Sequence, residues 1–264
     1  MRKLNLLIVE GNIKSENDSF RAAGIKTHAE SCQASIGNYY KNTNIDVVNP
    51  SSDHNIDTII SNLKKYDGLI WGGSSQSIYN DTPEIKRQIL FMKECFKNIK
   101  KIFAICWGMQ VAVTAAGGVV KKGEKGSHKG IAYDIEVNDL GLKHKLYKDK
   151  EKKFNTPAFN FDEVVKIPDG TKLLASNLVN HVQAINFKEG VSDIWGIQYH
   201  PEITYNKMIS LIHFRKDRLL DRKAFKDEKE IDEHVKKIND VNQLSDKHSR
   251  MRELKNWLDY VNEN

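Results

Sequence analysis

The sequence predicts an α/β fold: an open, mixed but mostly parallel sheet flanked by helices, followed by a charged helical C-terminal extension. Three observations carry this expectation. Short apolar runs alternate with helical patterns as far as residue 116, the order that gathers parallel strands into one sheet with helices on both faces. Beyond residue 118, strand-like runs follow one another with little helix between them, so a mixed or antiparallel portion completes the sheet. From about residue 222 the chain turns to charge, with 10 basic and 10 acidic residues in 222–264, which marks that stretch off from the core-forming part.

Taken in order, residues 4–10 and 45–48 read as buried strands, and residues 66–73 as a strand ending in the glycine pair Gly72-Gly73. Thr82 and Pro83 then open a helix as N-cap and first-turn residue. Its Ile85, Ile89, Met92 and Phe96 recur at helical spacing and make one apolar face, and Cys95 beside that face reads as a buried structural thiol. Residues 102–106 form the next strand, residues 109–116 a helix, and Gly117-Gly118 ends it. Residues 119–122, 130–137, 172–175, 182–187 and 193–199 read as the remaining strands. Residues 206–220 form one helix with Met208, Leu211, Ile212, Leu219 and Leu220 facing inward. In the extension, Ile231, Val235 and Ile238, then Met251, Leu254, Trp257 or Leu258, and Val261, give narrow apolar stripes on charged helices. Docking on the surface of the core is the expected arrangement, with a cover over the active-site mouth or a dimer contact as the alternatives.

Composition narrows the class. The chain has 264 residues, 39% hydrophobic and 29% charged, enough for one large core. No apolar run approaches the ~20 residues of a membrane span, and the apolar stretch behind Arg2 and Lys3 is too short for a signal peptide. Three cysteines (Cys32, Cys95, Cys106) at unrelated spacings argue for a reducing compartment without a disulfide framework, so a cytoplasmic location is expected. The formal charge of +6 comes with lysine clusters at 121–129 and 143–153, but no aromatic residues interleave them as in a nucleic-acid surface, and a solvated face is the reading. The nine histidines are scattered, with no ligand-spaced cluster. His128, His181 and His213 read as surface or packing residues, and no metal is expected.

The chemistry concentrates in two runs. Residues 101–110, Lys-Ile-Phe-Ala-Ile-Cys-Trp-Gly-Met-Gln, lead an apolar strand into Cys106 and straight on into a helix. Residues 194–202, Ile-Trp-Gly-Ile-Gln-Tyr-His-Pro-Glu, end a strand in His200 and Glu202. A cysteine attacks as thiolate, and the amino end of a helix stabilises negative charge. Gly108 permits the close backbone approach of a sharp elbow, and Ala104 is small enough to fit the adjoining helix. His200 is the base and Glu202 the carboxylate that orients it. Residues two apart in an extended segment point the same way, and Pro201 favours that extension. Gln198, on the same face, buttresses the site. The loop Gly72-Gly73-Ser74-Ser75 follows a strand, and the N–H groups of Gly73 and Trp107 are the expected oxyanion donors. Singly these signals are weak; together, at strand ends, they describe a site, because a parallel sheet collects its chemistry there.

These residues resemble a class I glutamine amidotransferase, and within that family the stand-alone relatives of the amidotransferase half of GMP synthetase. The matching runs are residues 72–78, 105–110 and 196–202, with residues 162–170 and 173–176 fitting between them, and the likeness covers about residues 1–215. With the change of composition at about residue 222, this gives a domain over residues 1–221 and a helical extension over residues 222–264. The resemblance implies that Cys106 attacks the side-chain amide of glutamine or of a related γ-glutamyl compound, that ammonia or an amine leaves, and that water hydrolyses the glutamyl thioester. It also implies substrate-binding roles for Gly72, Ser74, Gln110 and Phe161. One departure stands out: where relatives carry Ser-His-Gly before the Asp matching Asp162, this chain has Phe159-Asn160-Phe161, which reshapes the glutamyl pocket. Two functions follow as expectations: an amidotransferase that releases ammonia from glutamine, alone or for a synthase partner, and a hydrolase of γ-glutamyl amines or peptides with the same triad. A catalytically idle binding protein is the reading from another class, and the intact triad argues against it. No cofactor is expected, nor a nucleic-acid or membrane partner, and self-association is left open.

Overall fold

The computed structural model describes residues 3–263. The strands are β1 (Leu4–Val9), β2 (Thr43–Val48), β3 (Gly68–Trp71), β4 (Lys101–Ile105), β5 (Val119–Lys122), β6 (His128–Lys129), β7 (Ala132–Val137), β8 (Lys153–Thr156), β9 (Phe159–Asn160), β10 (Asp162–Lys166), β11 (Lys172–Ser176), β12 (Ala184–Glu189) and β13 (Ser192–Ile197). The helices are α1 (Lys14–Ala22), α2 (His28–Ile36), α3 (Ile56–Ser61), α4 (Pro83–Asn98), α5 (Trp107–Ala115), α6 (Asp139–Leu142), α7 (Tyr205–Phe214), α8 (Lys216–Asp221), α9 (Glu228–Leu244), α10 (Lys247–Arg250) and α11 (Arg252–Asn262).

One nine-stranded sheet runs β2-β1-β3-β4-β13-β12-β11-β7-β8. Its first five strands are parallel, and the rest pair antiparallel, as the change of pattern after residue 118 predicts. The centre is wholly apolar because both faces are covered: β3 and all but the first residue of β4 are buried, as expected of a sheet with helices on each side. Trp71, Met92, Phe96 and Val113 lie in the core on one face, and Ile36, Phe103, Leu254 and Trp257 on the other. Thr82 caps α4 with Pro83 in its first turn, and Ile85, Met92, Cys95 and Phe96 are buried.

Several expectations are corrected. The 45–48 strand is the sheet edge, and of β2 only Val48 is buried. Residues 119–122 do not join the main sheet; β5 pairs with β10 in a separate two-stranded ribbon, because it turns back over α5 with only Val120 facing inward. Strands β6, β8, β9 and β10 lie outside the runs that read as strands in the sequence. The run expected as one strand over 130–137 is broken at Gly130, whose φ of +97° lets it pass between Ile238 and Ile212, where a Cβ would lie 2.8 and 2.9 Å from their methyl carbons. The single helix over 206–220 is two, α7 and α8, separated at Arg215.

The C-terminal stripes are where periodicity places them, with Ile231, Ile238, Met251, Leu254, Trp257, Leu258 and Val261 all buried. They do more than rest on the surface. Met251, Leu254, Trp257, Leu258 and Val261 belong to the same apolar cluster as β1 and β4, and Trp257 stacks on Phe103 at 5.7 Å. Gly68 makes room for that indole, since a Cβ there would sit 2.8 Å from it. Truncating so large a buried side chain costs about 3–5 kcal/mol.

Candidate active site

Cys106 ends β4 and begins α5 with φ +53° and ψ −104°, a conformation that costs a non-glycine residue about 1–3 kcal/mol. The turn holds its strain because its neighbours give it no alternative. The Cys106 N–H donates to the Ile197 carbonyl at 2.7 Å. Gly108 lies so close to β3 that a Cβ would be 2.4 Å from the Trp71 carbonyl oxygen. Ala104 pairs with Gly196, where a Cβ would be 2.8 Å from Met109, so two glycines and an alanine let α5 close onto the sheet.

His200 and Glu202 follow β13, and both are buried. Residues 198–202 leave the strand in a turn, so strand alternation is not what pairs them. The Ile203 N–H reaches the His200 carbonyl at 3.3 Å and the His200 N–H the Pro157 carbonyl at 2.8 Å. That turn brings the carboxylate back to the ring, and His200 Nδ1 meets Glu202 Oε1 at 2.7 Å. The imidazole also lies within electrostatic reach of Cys106. Burial disfavours charge on His200, but the Glu202 carboxylate and then Cys106 outweigh it and push the imidazole up to about 10. The three side chains expected to be catalytic therefore lie in one buried cluster.

Gln198 donates from Nε2 to the Cys106 sulfur at 3.4 Å and accepts from Gln110 Nε2 at 3.3 Å. Gly73 and Trp107 meet at Gly11, where a Cβ would be 2.6 Å from both the Gly73 carbonyl oxygen and the Trp107 ring. Trp107 is held by a 2.7 Å hydrogen bond from its indole N–H to Gln88. Ser74, Gln110 and Phe161 line the pocket over Cys106 together with Asn160 and Asp162. Gly72 lies behind it, packed toward His28 and the Val9 carbonyl. His128 is a packing residue, bonded to Asn160 Oδ1 at 2.9 Å.

Four residues at the site carry no signal of their role in the sequence. Asn12 holds the Ser75 N–H at 2.9 Å and so fixes the loop after β3. Gln88 joins the Gly11 carbonyl to Trp107. His28 stacks on His200 with centroids 5.5 Å apart, and Gly73 fits between them only because it has no side chain: a Cβ would be 2.6 Å from His28 and 2.9 Å from His200. Burial, then the charges of Lys207, His200 and Arg215, hold His28 well below the usual imidazole range, so it backs the base as a neutral ring. A capping box, Thr27 with Glu30, is the available sign that a helix starts at His28. Arg215, beside the pocket, is the fourth: it pairs with Glu16 at 3.4 Å and lies over the Phe159 ring at 5.1 Å. His28, His200 and Glu202 each offer a ligating atom within 4.8 Å of the others, but binding an ion there would occupy the base and its carboxylate.

Comparison with known proteins places the chain among relatives of known family. The model of the family described as "Glutamine amidotransferase class-I" matches residues 28–216. A gamma-glutamyl-L-1-hydroxyisopropylamide hydrolase from a Pseudomonas species is 32% identical over 77% of this chain and 69% of its own length. A glutamine-hydrolyzing GMP synthase subunit from Archaeoglobus fulgidus is 28% identical over 57% of this chain and 74% of its own. Among solved structures, a glutamine amidotransferase from Thermotoga maritima superposes over the full length of both chains with a TM-score of 0.67 at 15% identity, a likeness of fold. Among the described residues no helix is long and apolar enough to cross a membrane.

Proposed function

Because the chain belongs to the class I glutamine amidotransferase family, we propose that it hydrolyses a γ-glutamyl amide bond through a glutamyl thioester on Cys106. The observation that carries this reading is the burial of Cys106, His200 and Glu202 together, with His200 bonded to Glu202 at 2.7 Å and its proton held in part by Cys106. With His200 already carrying the proton, the Cys106 sulfur attacks the γ-carbonyl carbon as thiolate, and the carbonyl oxygen becomes an oxyanion at the N–H groups of Gly73 and Trp107. The C–N bond then breaks, and the His200 proton passes to the departing nitrogen. Water next attacks the thioester carbon and leaves its proton on His200. The C–S bond breaks, glutamate departs and the pair is restored.

Two substrates fit that chemistry. Release of ammonia from glutamine for a synthase partner is supported by the relatives that belong to GMP synthases. Hydrolysis of a larger γ-glutamyl amide is supported by the Pseudomonas hydrolase and by the aromatic Phe159 and Phe161 on the pocket wall. The test is a panel of glutamine, γ-glutamyl amines and γ-glutamyl dipeptides, with glutamate, ammonia and amine all measured. Glutamate release from at least one of them, lost in Cys106→Ala, is the expected result. Release that survives in Cys106→Ala overturns the mechanism.

A further inference from the structure

The pocket over Cys106 is roofed from outside the matched family region. That region ends at residue 216, whereas Arg218 on α8 and Arg222 just after it line the pocket with Arg215. Their partners are unequal. Arg215 has the Glu16 carboxylate. Arg218 gives one hydrogen bond to a neutral acceptor, the Ser75 carbonyl, at 3.3 Å. Arg222 rests on the Phe161 ring at 5.6 Å. Burial lowers the Arg218 guanidinium, the Arg222 charge beside it lowers it further, and the more distant Glu16, bonded to Arg215, offsets part of this. The pocket's own carboxylate is Asp162, held by the Tyr79 hydroxyl at 2.9 Å. With Glu16 assigned to Arg215, the wall keeps one positive charge more than Asp162 cancels.

A glutamyl head group, with its α-ammonium and α-carboxylate, adds no net charge to that balance. An additional anion does, and guanidiniums bind carboxylates with paired N–H groups. We propose that Arg218 and Arg222 recognise an acidic group on the departing amine, so that the preferred substrate is a γ-glutamyl amino acid or peptide rather than glutamine or a γ-glutamyl alkylamine. This rests on the γ-glutamyl chemistry proposed above for the reaction and adds the substrate class. Phe159 and Phe161 carry the guanidiniums of Arg215 and Arg222 on their faces, which gives these two aromatics a part in placing the charge.

The test compares γ-glutamylglycine with γ-glutamylethylamide, which share the glutamyl head and differ in the carboxylate. The wild-type protein is expected to favour γ-glutamylglycine by about tenfold or more in kcat/KM, and the ratio is expected to collapse toward one in Arg218→Gln and Arg222→Gln. Arg222→Lys, which keeps the charge, retains part of the ratio. A wild-type ratio of one or below overturns the proposal, as does a ratio unchanged in both glutamine variants. Binding of the same two compounds to Cys106→Ala, measured by calorimetry, separates this from the reaction itself. If neither compound is turned over, the proposed activity on them fails, while tighter binding of γ-glutamylglycine still upholds the arginine wall and equal or absent binding overturns it.

Discussion

Tyr199, the residue before the base His200, gives its hydroxyl hydrogen to Glu253 on α11 at 2.8 Å. Glu253 also pairs with Lys150 at 3.2 Å, and both side chains are shut away from solvent. Nearby, Arg250 donates to the carbonyls of Pro201 and Ile203, on either side of Glu202. The C-terminal helices therefore hold the segment that carries the base and its carboxylate.

Breaking that buried pair from one side leaves an unpaired charge, which costs about 3–5 kcal/mol. Glu253→Gln is expected to lower the urea-unfolding free energy on that scale, and Lys150→Met combined with it to recover a large part. Equal stability of the single variant and the wild type in denaturant titration would show that the pair carries no such load.

Cys106→Ala is expected to reduce turnover by at least ~10³-fold. An alkylating glutamine analogue should add one label, at Cys106. Cys32 and Cys95 should stay unlabelled, since both are buried and burial pushes their thiols well above the ordinary range. Mass spectrometry that finds the label on either of those two would contradict the assignment.

His200 sets a pH dependence whose sign can be worked out. Its folded value of about 10 lies above the ~6.5 of an unfolded chain. The protonated ring therefore contributes stability fully below about pH 6.5, and that contribution is lost as pH rises toward 10. Glu202→Gln removes the leading cause of the rise and should flatten the fall in urea midpoint between pH 7 and 9.5, while retaining more turnover than Cys106→Ala. Identical slopes for the two proteins would mean that Glu202 does not hold the proton on His200.

Gly73→Ala introduces a methyl 2.6 Å from His28 and 2.9 Å from His200. A displaced base is expected to cost about 10²-fold in activity, the scale of an ångström-sized misplacement, with the fold intact by circular dichroism. His28→Ala in the same chain opens space and should return part of the loss. No gain in the double variant would place the damage elsewhere.

The proposed triad is legible in the sequence because Cys106 directly follows one apolar strand run and His200 and Glu202 lie just beyond another, and the centre of the parallel sheet, residues 68–71, 102–105 and 194–197, is readable from unbroken apolar runs. His28 and Asn12 are not legible. They act through partners far along the chain, and α2 is buried on so many sides, at His28, Ala29, Ser31, Cys32, Ser35 and Ile36, that it shows little amphipathic contrast. The ribbon of β5 and β10 misleads for a related reason: a short strand announces its own extension, but not which sheet it joins. Charge in the tail hides its role as well, since Glu253 and Arg250 look like solvated residues until their buried partners are seen.

The burial of Trp257 against Phe103 and Gly68 bears on how the protein matures during synthesis. A ribosome that has released only the strands and early helices has made Cys106, His200 and Glu202, yet one side of the sheet beneath them is covered only by α2. Until residues 250–261 emerge and settle there, the rest of that apolar face is open to chaperones or to aggregation, and the nascent enzyme has its chemical groups before it has the support that holds them in register.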